Sequence, residues 1–200
     1  MIRSIVLSLG AFWLVFGSAP VRAADDGALA AAMFAEPTPT ATSRACFVRR
    51  YDGAHRAAHP RQRVADIMLL VGREAYPDEP GLRWRFQLST HFTHRKGRFE
   101  SSGDCRPGGM GENPASPATR IICAVACDGG DIEITPSTDS RSALAQVDHL
   151  RIWRPGPQIE DSNDAIDGDD DRTFRLERAD ISACAPLLPK AERARSRKSK

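Results

Sequence analysis

Residues 120–135, R-I-I-C-A-V-A-C-D-G-G-D-I-E-I-T, constrain the fold more than any other stretch, because turn chemistry, alternating apolar side chains and two cysteines coincide there. Asp128 and Gly129 tolerate the positive φ angles of a tight hairpin turn, and the runs on either side carry the period-two pattern of half-buried strands. A two-residue Asp128-Gly129 loop sets Val125 opposite Ile132 and Cys123 opposite Ile134. All four then share one face, and Asp131, Glu133 and Thr135 point the other way. The competing Gly129-Gly130 loop sets Asp128 against Asp131, a like-charge pair that costs stability. In the favoured register the sulfurs of Cys123 and Cys127 are both expected in the core.

Other segments repeat the strand signal. Leu82, Trp84, Phe86 and Leu88 alternate with Arg83, Arg85 and Gln87, and the run extends toward Phe92. Residues 64–71, V-A-D-I-M-L-L-V, are apolar apart from Asp66, as expected of a strand covered on both faces. C-F-V-R-R-Y from Cys46 reads as a first strand. A Lys96-Gly97 turn leads into 98–105, where Phe99, Ser101, Gly103 and Cys105 share a face, and a Gly/Pro-rich loop is expected over 106–119. Beyond the hairpin, Ala143, Ala145 and Val147 alternate before the apolar parity switches to Leu150 and Ile152, which predicts a bulge or turn near Asp148-His149. Phe174 and Leu176 mark a last strand, and 181–188 a helical turn. Seven to eight short strands separated by turn signals predict a mainly β fold: a single antiparallel β-barrel or β-sandwich domain over 46–189.

The flanks read differently. Arg3, the apolar run 5–16 and Val21-Arg22-Ala23 have the form of a cleaved signal peptide, 1–23. The apolar run falls short of the roughly 20 residues that span a bilayer. A periplasmic or extracellular location follows as an expectation, with no transmembrane segment after cleavage. Residues 24–45 are rich in Ala, Thr and Pro and are expected to be a disordered linker, with a short helix over 29–34 the structured alternative before Pro37. Residues 190–200 read as a disordered basic tail. Removing 1–23 leaves 26 basic and 26 acidic residues, and setting the tail aside leaves 20 basic against 25 acidic. A mildly acidic body argues against nucleic-acid binding by the folded domain.

Export makes disulfides the expected state of Cys46, Cys105, Cys123, Cys127 and Cys184. Cys123 and Cys127 lie too far apart along one strand to bridge. The favoured pairs are Cys105 with Cys123, closely followed by Cys105 with Cys127, and Cys46 with Cys184 as a staple of the domain ends. The odd cysteine is expected to be an inert buried thiol, ahead of an intermolecular bridge or a reactive group.

Candidate chemistry is sparse. Tyr51, Asp52, His55 and His59 are the densest reactive group. On a helix the two histidines would share a face, but Gly53 and Pro60 favour a loop. Asp161, Asp164, Asp167, Asp169, Asp170 and Asp171 lack EF-hand spacing and read as a solvated acidic loop. Arg83 and Arg85 would suit an anion or an exposed sheet face. No nucleophile elbow, zincin motif, P-loop or dinucleotide fingerprint is present, so no catalytic residue, metal or cofactor is assigned. The expected role is an exported, non-enzymatic β domain that binds a small ligand or an envelope or extracellular protein. The alternatives are a secreted hydrolase using the Tyr/Asp/His cluster, a protease inhibitor presenting 106–119, and a structural envelope component. Trp84 and Phe86 are expected in packed core, with the lining of a ligand cavity as the lesser reading.

Overall fold

The computed structural model of the chain describes residues 26–75, 81–109, 118–156, 164–189 and 192–193. The expected signal peptide therefore lies outside the described residues, as does the expected basic tail apart from Glu192 and Arg193. Eight antiparallel strands close into a barrel: β1 Arg44–Arg50, β2 Val64–Ala75, β3 Leu82–Phe92, β4 Arg98–Gly109, β5 Ala118–Ala124, β6 Asp131–Pro136, β7 Ser142–Asp148 and β10 Thr173–Ala179. Each strand pairs with its sequence neighbour, and β10 returns to close against β1. Between β7 and β10 the chain leaves the wall and forms a small ladder of β8, Leu150–Arg151, with β9, Ala165–Ile166. The parity switch after Val147 is made by His149, whose φ of 47° turns the chain.

Alternation decides what fills the barrel. Phe47, Leu69, Trp84, Phe86, Phe99 and Phe174 project into the lumen and are almost wholly buried. Trp84 and Phe86 are thus packed core. The opposite face of β1 and β2 is covered too, by a 3-10 turn at Ile181–Leu187 whose Leu187 packs with Leu188 against Cys46 and Leu70. That second cover explains why the run 64–71 is apolar at successive positions from Ile67 to Val71. The Cys46–Cys184 disulfide pins this cover to the wall across 138 residues of sequence, and Cys105–Cys123 joins directly opposed residues of β4 and β5. Two disulfides belong to an oxidising, non-cytoplasmic environment. No helix among the described residues is long and apolar enough to cross a membrane.

The hairpin departs from its expected turn. Cys123 pairs with Ile132 and Ile121 with Ile134, a slip of two residues that preserves every face because strand periodicity is two. The loop runs from Val125 to Gly130, with Cys127 and Asp128 in the left-handed region at φ 59° and 57°. Tertiary contact selects this longer loop. Gly129 O accepts from Arg151 N at 2.8 Å, and Gly130, at φ 74°, lies so close to the His149 carbonyl that any Cβ would collide with it. Cys127 consequently leaves the strand and is an exposed free thiol, not the buried one expected.

The expected disordered linker over 24–45 is also corrected. Gly27–Phe34 forms helix α1, whose Leu29, Ala30, Met33 and Phe34 are buried. The helix packs against β1, β5 and β6 at the end of the barrel where β1 begins. Phe34 stacks on Trp84 at 5.2 Å between ring centroids. Trp84 Nε1 donates to Asp26 Oδ2 at 2.6 Å, and Arg73 pairs with the same carboxylate at 3.4 Å. At the other end of α1, Arg178 donates to Met33 O at 2.8 Å and to Ser140 O while its guanidinium covers Phe47. Composition suggested a mobile segment, but an Ala-rich run with no charged residue from Gly27 to Phe34 is a good helix former that needs only an apolar place to dock.

Two outcomes are expected. Replacing Cys46 and Cys184 together with Ala costs up to about 4 to 5 kcal/mol, against up to about 3 for Cys105 with Cys123, because the longer loop constrains the unfolded chain more. Urea midpoints of the two double variants rank them. Asp26→Ala, which strands the Trp84 indole N–H, lowers stability by about 1 to 3 kcal/mol and alters tryptophan emission. An unchanged midpoint and spectrum would mean that α1 is not held as described.

Candidate functional site

The barrel closes over an unequal seam. β1 and β10 pair only at Cys46 with Ala179, Phe47 with Arg178 and Val48 with Glu177, whereas β2 follows β3 from Val64 to Ala75. Past Val48 the two strands part, because β10 stays paired with β7 down to Thr173 while β1 stays with β2 down to Arg50. A wedge opens between them at the end of the barrel away from α1. It holds a pocket of about 370 Å³ lined by Arg49, Tyr51, His55, His59, Gln62, Leu144, Asp170, Thr173 and Arg175.

Local sequence builds its rim. The expected loop after Tyr51 is instead a short helix, α2, at Gly53–Ala58. Asp52 is its N-cap, with Oδ1 accepting from His55 N at 2.7 Å, and Pro60 follows the helix end. Helical spacing then stacks the two imidazoles, 4.4 Å between ring centroids, and places His55 4.6 Å from the Tyr51 ring. Arg56 donates to Tyr51 O at 2.7 Å and ties the helix back to the strand. Tyr51, His55 and His59 are therefore brought together, while Asp52 is engaged in capping backbone and does not orient an imidazole.

The remaining lining residues carried no local signal, with one exception. Arg49 shares strand parity with Ala45, Phe47 and Tyr51, which could have marked it as facing inward. Its guanidinium lies 5.3 Å from the Tyr51 ring centre, and its Nε is buried without a hydrogen-bond partner. Arg175 reaches the pocket from β10. The carboxylate there, Asp170, pairs with Arg61 at 3.4 Å. Burial pushes the Tyr51 phenol above its ordinary range; a hydrogen bond with Gln62 and the positive charge of Arg49 pull it partly back, and Asp171 adds to the rise.

A second opening lies where β4 and β5 part. Their ladder starts at Asp104 with Ala124, and below it Glu100 pairs with Trp153 of the returning segment instead. Gly103 is required at that bend, since a Cβ would strike the Ala124 carbonyl. The groove, about 580 Å³, is bordered by Val125, Ala126, Cys127, Arg151 and Trp153. Arg85, which also lines it, is ion-paired with Asp104 at 3.2 Å and Glu74 at 3.5 Å.

The acidic stretch is not the solvated loop expected. Asp164 pairs with Arg95 and Asp169 with Arg61, both at 2.9 Å. Asp171 is buried, accepting from Arg63 N and Val64 N, while burial raises its carboxyl above the ordinary value despite those bonds. Asp161 lies outside the described residues. Of the expected loop 106–119, Arg106 to Gly109 belong to β4 and Ala118 and Thr119 to β5, and 110–117 lie outside the described residues. No family model, curated protein or solved structure matches the chain. Fold and site define an up-and-down eight-stranded barrel with a filled lumen and a polar pocket in its wall.

The raised Tyr51 phenol has a measurable consequence. A folded-state value above the unfolded one means that stability declines as pH climbs from the unfolded tyrosine value, near 10, through the folded one. Absorbance titration in a Tyr76→Phe background should give a midpoint above a free tyrosine, and Arg49→Gln should raise it further by removing a stabilising charge. A midpoint at the free-tyrosine value would contradict the buried placement of Tyr51.

Proposed function

We propose that the chain is an exported, non-enzymatic binding domain of the periplasm or extracellular space, and that its ligand site is the seam pocket at Tyr51, His55 and His59. The observation that supports this reading most is the contrast between a filled lumen and an open wall. Aromatic side chains occupy the interior and α1 occupies one mouth, so a ligand meets the barrel from outside. At the seam it meets convergent polar groups around an aromatic stack, the composition expected of a small-molecule site. For the hydrolase alternative, no carboxylate among the described residues is hydrogen-bonded to the His55 or His59 ring, and Asp52 caps α2 instead.

Export is the other half of the proposal. It rests on the form of residues 1–23 and on the two disulfides, and cleavage after Ala23 would make Asp26 the third residue of the mature chain. The anchor of α1 would then lie almost at the new N-terminus.

A fragment library screened by backbone amide shifts on the disulfide-bonded chain should perturb Tyr51, His55 and His59 ahead of lumen residues such as Phe86 and Leu88. Shifts concentrated in the lumen would return the ligand to the interior and overturn the reading. So would turnover of any ester, peptide or glycoside substrate that the His55→Ala/His59→Ala double variant abolishes.

A further inference from the structure

We infer that the seam pocket recognises a small oxyanion, a carboxylate or phosphate group, through Arg49 and Arg175 on the two lips of the parted strands. This rests on the pocket being the ligand site, and it names the chemistry of the ligand.

Several arginines around the barrel are neutralised: Arg61 by Asp169 and Asp170, Arg85 by Asp104 and Glu74, Arg98 by Asp66, Arg120 by Glu133. Arg49, Arg50, Arg106, Arg172 and Arg175 have no such pairing among the described residues, and of these Arg49 and Arg175 meet in one pocket. Among the described residues neither side chain has an ion pair or a hydrogen bond, and both line the same pocket. A guanidinium is always charged and carries five N–H donors, and the Arg49 Nε–H is shut off from solvent as well as from protein acceptors. A buried donor left unsatisfied costs free energy, which an acceptor entering the pocket would remove.

Geometry narrows the acceptor further. The Arg49 guanidinium lies over the Tyr51 ring, 5.3 Å from its centre, and a forked planar donor suits the paired oxygens of a carboxylate or phosphate. Arg175 approaches from the other strand, so one anion between the lips would bridge a seam that lacks main-chain pairing there. Asp170 faces the same pocket, but its charge is shared with Arg61. The stacked His55 and His59 rings offer a flat surface beside the anion, which favours a ligand with a planar apolar body attached to the charged group.

Benzoate, inorganic phosphate and the neutral isostere benzamide separate the possibilities. Amide and arginine Nε–H shifts of the disulfide-bonded chain are followed during titration with each, for the wild type, Arg49→Gln and Arg175→Gln. The expected result is saturable shifts at Arg49 and Tyr51 with benzoate, phosphate or both, weakened about tenfold or more in each variant. Benzoate alone identifies a carboxylate, phosphate alone a phosphate. Benzamide binding as tightly as benzoate overturns the oxyanion inference but leaves the pocket as a ligand site; no shift in the pocket with any probe overturns it together with the proposed site. Arg175 is exposed on the rim, so Arg175→Gln keeps the test valid should Arg49→Gln fail to fold. Binding that neither variant weakens also overturns the inference.

Discussion

Closure of the sheet on itself is the constraint on which the rest depends. A sheet of eight strands has two edges whose N–H and C=O groups must be satisfied, and joining β10 to β1 removes both. The joint consists of three residue pairs, the shortest ladder in the barrel wall. What β-pairing does not supply at this joint comes from covalent and apolar contacts on the outer wall. The Cys46–Cys184 bridge starts on β1, at the first of the three pairs, and draws the 3-10 turn that follows β10 across the joint onto Leu70.

The same shortness makes the pocket. Strands that tilt around a barrel end at different heights, so a ladder that begins in register at one end can run out before the other. At the β4–β5 opening, the returning segment around Trp153 takes up the free edge. At the β1–β10 opening the wedge is lined instead by the Tyr51, His55 and His59 side chains, with the Arg49 guanidinium near the Tyr51 ring. Structure and candidate function thus have a common origin in strand stagger. A polar site in this wall costs less than one in the lumen, where Ile67, Leu69, Leu88 and Ile134 offer no partners for a buried charge.

Helix α1 shows how a terminal segment becomes structural. Its apolar side chains complete the lumen, and its two ends are tied by charge: Asp26 to Trp84 and Arg73, and the carbonyls of its last turn to Arg178. Burial pulls the Arg178 guanidinium below its ordinary value, partly offset by Glu36, yet an arginine remains charged. Both ties place a charged group over an aromatic ring, Arg73 on Trp84 and Arg178 on Phe47, so the mouth is sealed by flat cationic surfaces.

Alternation along the chain determined the class of fold and the inward face of nearly every strand, because period-two patterning is a local property; it favoured both disulfides but left Cys105 open to Cys127 as well as Cys123. It placed Cys123, Val125, Ile132 and Ile134 on one buried face even though their partners are shifted by two. Only the tertiary structure decided the rest. The hairpin loop lengthened, and Cys127 left the core, because β8 passes over Gly129 and Gly130, a contact between residues about twenty apart in sequence. Segment 27–34 is ordered because a barrel mouth exists to receive it. The Asp-Gly start after Tyr51 reads as a turn by itself; Asp52 capping and Tyr51 packing make it a helix. Arg49 and Arg175 are more than a hundred residues apart, and nothing in either neighbourhood announces the other. They face one pocket because closure brings the first and last strands together and stagger then holds them apart.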